Sequence, residues 1–216
     1  MNTLQKLSPG VYFPPVYLPA GLEPRRREFE SMVVKAQCRV GAFARRYGWG
    51  HLVQEPFMYR VEIYDNKDEL DNRIRLLFFG PLPVKLPITY SAGLENCVLF
   101  CVSPELYQQN YPQGWEPEAI VKLMAHEIIH RLHVRILDGD EDAMGPVWFF
   151  EGFAIYGSGQ FEGMLPRLSP ERINEIIHST NRGNYLEYAT VFRHLLKTAP
   201  MKELIEKHTK KAYSFS

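Results

Sequence analysis

His126-Glu127-Ile128-Ile129-His130, followed downstream by Trp148-Phe149-Phe150-Glu151-Gly152-Phe153-Ala154, is the part of the chain from which the rest can be read. The first stretch is an H-E-x-x-H pattern inside a run with helical periodicity. At about 100° per residue, His130 falls roughly 40° round the helix from His126, and Glu127 roughly 100°. All three therefore share one sector. Two imidazoles one turn apart can hold one metal ion, and a carboxylate beside them can reach a water next to it. Imidazole and carboxylate donors suit zinc (Zn2+). The spacing predicts a helix over residues 117–133, with Val121, Met124, Ala125, Ile128 and Leu132 as its apolar stripe.

A third ligand has to come from elsewhere. His133 lies seven residues past His126, roughly 10 Å along a helix axis, too far to share an ion whose ligand bonds are about 2 Å. It is expected beside the site or on the surface. Glu151 is the better candidate, because Trp148, Phe149, Phe150, Phe153 and Ile155 surround it, and an unpartnered carboxylate among such neighbours would be costly. Gly152 and Ala154 are expected to let this second helix come close to the motif helix.

The chain has 216 residues, enough for a single domain with a sizeable core. The expected division is an extended, proline-rich arm over 1–24 and one domain over 25–216. Lys plus Arg equals Asp plus Glu, 25 of each, which argues against bulk electrostatic binding to nucleic acid or an anionic membrane. No stretch is apolar enough to span a membrane. Prolines 14, 15 and 19 interrupt the only weakly apolar run near the start, so no secretory leader is expected. Cys38, Cys97 and Cys101 make an odd set with no disulfide framework, and the expected compartment is cytoplasmic.

Elsewhere the pattern predicts helices over 28–47 and 65–74, a strand over 59–64 and a stronger strand over 96–102. A proline-punctuated loop is expected over 80–87, and an acidic loop over 134–146 carrying Asp138, Asp140, Glu141 and Asp142. Further helices are expected over 148–157, 170–178, 186–197 and 202–210. Ser103-Pro104 and Ser169-Pro170 mark helix starts. A small mixed or antiparallel sheet, then the motif helix, then a mainly helical C-terminal part, makes the fold class α+β.

H-E-x-x-H with W-x-x-E-G-x-A-x-Y over 148–156 resembles the gluzincin zinc metallopeptidases, the broad set called peptidase MA-like. The match covers about residues 117–157, and the order of elements extends it back to about Tyr59. The resemblance implies a zincin-like fold with His126, His130 and Glu151 as zinc ligands and Glu127 as general base. It implies a closing aromatic at Tyr156 that only packs, and a strand at 97–102 as the edge that lies along a peptide. Members of the thermolysin type carry an acid four residues after the third ligand; here that position is Ile155, which leaves the partner of the ligand imidazoles open. Such enzymes add a Tyr or His to steady the oxyanion, and Tyr185 is the preferred candidate beside Tyr188, His178 and His194.

Zinc-dependent hydrolysis of a peptide or unstructured protein is thus the expected function. A regulatory protease that cuts a specific protein partner is a variant of it, since His130-Arg131-Leu132-His133 echoes the H-x-x-L-H tail of that group one residue short. The alternative is a non-catalytic, zinc-stabilised interaction or scaffold domain, against which Glu127 speaks, because a purely structural site has no use for a base. Oligomeric state and cleavage specificity stay open.

Overall fold

The motif run folds as a helix in the computed structural model, which describes residues 6–8, 11–77 and 86–209. In chain order the elements are β1 (Lys6–Ser8), β2 (Val11–Tyr12), β3 (Val16–Tyr17), α1 (Arg26–Arg46), β4 (Arg60–Tyr64), α2 (Lys67–Leu77), β5 (Ala92–Glu95), β6 (Val98–Val102), α3 (Pro104–Asn110), α4 (Ala119–Ile136), α5 (Val147–Ser158), α6 (Pro170–His178), α7 (Tyr185–Leu195) and α8 (Met201–His208). β1 and β2 pair with each other. The other four strands form one mixed sheet in the order β3-β4-β6-β5, with β3, β4 and β6 parallel and β5 antiparallel to β6. The fold is α+β.

Two expectations about strands change. Asn96 and Cys97 do not begin a strand; both have positive φ, 48° and 59°, and form the two-residue turn of a β5–β6 hairpin, a conformation in which the backbone twist matches the flanking strands. The strand after that turn, β6, lies inside the sheet rather than at its edge. The edge on the side of the motif helix is β5, whose Ala92-Gly93-Leu94-Glu95 carries little strand signal. Gly93 is needed there: it pairs with Phe100, and a Cβ at 93 would lie 2.3 Å from that ring.

The arm expected over 1–24 is partly built into the sheet. Val16 is buried in the core and pairs with Val61, whose N–H donates to Pro15 O at 3.0 Å. A proline can precede this strand because β3 is an edge, where no N–H is required on the outer side. Residues 1–5 and 9–10 of the arm lie outside the described residues. So does the loop expected over 80–87, apart from Leu86 and Pro87.

α4 runs beyond the expected end at residue 133 to Ile136, because nothing stops it before Asp138 and Gly139, both at positive φ. Arg135 fixes that last turn by donating to the carbonyls of Leu52, Glu55 and Pro56 at 2.7–3.0 Å. Every member of the expected apolar stripe is buried. α5 packs between α4 and α7. Gly152 serves the second of these contacts, not the first: a Cβ there would lie 2.9 Å from Phe192 Cβ and 3.1 Å from Tyr188 O, both of α7. The close approach of α5 to α4 is at Gly157, where a Cβ would meet Ile129 at 2.6 Å. Gly152→Val is therefore expected to cost about 1–3 kcal/mol through forced separation of α5 and α7. Urea unfolding midpoints measure it; a variant as stable as the parent would show that this contact is loose. Among the described residues no helix is long and apolar enough to cross a membrane.

Candidate metal centre

α4 presents His126 and His130 on the side that α5 covers, and α5 brings Glu151 against them. The two Nε2 atoms are 2.9 Å apart, and Glu151 Oε2 lies 3.2 Å from the first and 3.5 Å from the second. Ligand atoms bound tetrahedrally at about 2.0–2.1 Å stand roughly 3.3 Å from one another, so this triangle fits one small dication. These three residues form the one His/Cys/Asp/Glu group among the described residues whose donor atoms converge in this way. Glu151 is buried, and its Oε2 makes no hydrogen bond among the described residues. A carboxylate oxygen in that condition is expensive unless something positive meets it.

The outer oxygen of Glu151 is differently placed. Oε1 accepts from Arg182 Nη2 at 2.8 Å and from the Tyr185 hydroxyl at 3.0 Å, and Arg182 Nη1 donates to the same Tyr185 oxygen at 2.7 Å. The carboxylate thus has one oxygen tied to donors and one turned to the imidazoles. Burial raises the Glu151 carboxyl, but the two imidazoles outweigh it and hold the group well below the usual carboxylate range. For His126, burial opposes the charged ring, while Glu151, Glu127 and buried Gln160 favour it more strongly, so its affinity for a proton rises. A site that attracts a proton this way attracts a metal dication for the same reason.

Glu127 makes no ion pair or hydrogen bond among the described residues. Burial lifts its carboxyl above the ordinary glutamate range, against the pull of His126 and His130. It lines two adjoining cavities, a narrower one of about 220 Å3 and a wider groove of about 460 Å3. Both are bordered by Tyr90, Ala92, His126, Glu127, Arg182 and Tyr185, so they meet beside the His126 corner of the triangle and Glu127. The groove runs along β5. The far wall of the narrower cavity includes Phe161, whose φ of 60° is uncommon for a bulky residue. Its N–H donates to Glu116 Oε1 at 2.8 Å, and Glu116 is paired with Lys122 at 2.6 Å.

Of the oxyanion candidates, only Tyr185 borders these cavities. The Tyr188 hydroxyl is engaged with Gly183 N and Asn181 O; His178 is exposed at the end of α6, bonded to Asn174 O; His194 borders a separate groove against Leu168 and Ile173. Tyr156 bonds Tyr47 and stays outside the site. The acidic loop is exposed, and the Nδ1 atoms of His126 and His130 have no hydrogen-bond partner among the described residues. His133 is neither on the surface nor at the metal triangle: it is completely buried, stacked on Phe153 at 4.5 Å. Arg182 and Tyr90 were not legible as site residues. Both sit in loops, where no periodicity marks a side chain as inward, although Arg182 lies just ahead of the Asn184 cap that starts α7.

Comparison of the chain with family models, curated proteins and solved structures yields no match.

Proposed function

We propose that the chain is a zinc-dependent hydrolase with a zincin-like arrangement, a metallopeptidase acting on peptides or unstructured protein. The observation that carries this is the triangle of His126 Nε2, His130 Nε2 and Glu151 Oε2 beside a Glu127 carboxylate that faces two cavities and makes no hydrogen bond or ion pair among the described residues. When bound, zinc supplies a Lewis acid that polarises a carbonyl and makes a nearby water more acidic. Glu127 accepts the proton from the attacking water and passes it to the departing amine. β5 has no strand partner on its outer side among the described residues, and that edge, along the wider groove, would offer backbone groups to an extended peptide. A scaffold domain would need the ligands but not an unpaired carboxylate in a cavity.

Protein purified without added metal is expected to hold about one zinc per chain, and Glu151→Ala to lose most of it. Elemental analysis of both forms measures this. Equal zinc in the two would remove Glu151 from the ligand set and with it the basis of the proposal.

A further inference from the structure

The sequence points to Tyr185 as the donor to developing negative charge, but its hydroxyl proton is directed to Glu151 Oε1 and its oxygen accepts from Arg182. A hydroxyl has one proton to give. Another tyrosine borders both cavities beside His126 and Glu127, and its hydroxyl has no hydrogen-bond partner among the described residues: Tyr90, on the loop that leads into β5. Its position is secured from behind, with its N–H donating to Pro87 O at 3.0 Å and its hydroxyl packed over Gly93, where a Cβ would come within 3.1 Å of it. We propose that Tyr90 donates the hydrogen bond to the carbonyl oxygen of the peptide substrate, and that Tyr185 and Arg182 are positioning residues that hold Glu151 for the metal through Oε2. This rests on the hydrolase function proposed above.

In that step the water oxygen bonds to the carbonyl carbon and the C–N bond breaks. Glu127 moves the proton from water to amine, while Tyr90 lends its O–H to the carbonyl oxygen and keeps its proton throughout. Burial, reinforced by the charge of Glu127, raises the Tyr90 hydroxyl above the usual tyrosine range, so it remains a donor at any working pH. Tyr185 and Arg182 together leave only one Glu151 oxygen available, which favours one-oxygen ligation and fixes its direction.

The test separates the two tyrosines by readout. Tyr90→Phe is expected to lower kcat by about 10²-fold with zinc affinity and thermal melting unchanged. Tyr185→Phe and Arg182→Met are expected to weaken zinc binding by about 10–100-fold, measured by chelator competition, with added zinc restoring part of the rate. A Tyr90→Phe variant with the parental kcat would overturn the assignment, as would a Tyr185→Phe variant with parental zinc affinity and a rate that zinc does not restore. Zinc-loaded wild type that cuts nothing in a mixed peptide library would sink the hydrolase proposal and the role of Tyr90 together. Cleavage by wild type with an unaffected Tyr90→Phe sinks only the latter.

Discussion

Glu127→Gln is expected to leave zinc content and folding intact while cutting hydrolysis of unstructured substrates by roughly 10²- to 10⁴-fold, the usual contribution of a positioned general base. The amide keeps the size of the carboxylate and most of its hydrogen bonding, but it cannot take a proton. No folded-state contact is lost, because the Glu127 carboxylate has neither an ion pair nor a hydrogen bond among the described residues. Removing a half-buried carboxyl that burial already disfavours as an anion should even raise stability slightly. The measurement is kcat/KM on a peptide cut by wild type, beside elemental analysis and a thermal melt. Undiminished cleavage in Glu127→Gln, with contaminating proteases excluded, would rule out the proposed chemistry.

A comparably large effect is expected on stability in acid, and its source is His133. The ring is completely buried, neither nitrogen has a hydrogen-bond partner among the described residues, and burial pushes its pKa down to about 3, helped by the charge of His130. In the unfolded chain a histidine titrates near 6.5. Between those values the unfolded state binds a proton that the folded state refuses, so stability is full above about pH 6.5 and declines as the pH falls towards 3. The whole window is worth about 5 kcal/mol, a large share of a typical domain's stability. His133→Leu is expected to remove most of this decline, and to stabilise the protein at neutral pH by relieving two unsatisfied buried nitrogens. Urea midpoints at pH 7.5 and 4.5, both forms free of zinc, would measure the difference. Parallel losses in parent and variant would show that His133 is protonated in the folded protein too.

Much of this molecule can be read from periodic patterns, and what escapes reading is what periodicity does not encode. The stripe on α4, the apolar run of α5 and the two Ser-Pro caps lie where the sequence puts them, because helical spacing and capping are local rules. The convergence of His126, His130 and Glu151 follows from the same spacing plus the cost of burying a lone acid. β5 was missed because Gly93 and Ala92 are poor strand residues, kept there for the ring of Phe100 across the hairpin. Tyr90 and Arg182 were missed because a loop side chain takes its direction from tertiary packing. His133 was misplaced because its helical position suits a surface or a near-site group equally, and only the arrival of Phe149 and Phe153 on α5 enclosed it.

The left-handed backbone at Phe161 has an implication for anyone wishing to redirect what the protein accepts. A bulky residue in that conformation costs of order 1–3 kcal/mol, and it persists where the surroundings over-determine it, here through the N–H held by Glu116 and the Glu116–Lys122 pair behind it. Glycine or asparagine at 161 would relax the main chain but remove the aromatic wall; alanine or leucine would reshape the wall and keep the strain. Side-chain size and backbone comfort are therefore coupled at this position. Retuning selectivity there is a matter of engineering the 159–162 turn and its acidic anchor together, rather than swapping one residue in a passive pocket.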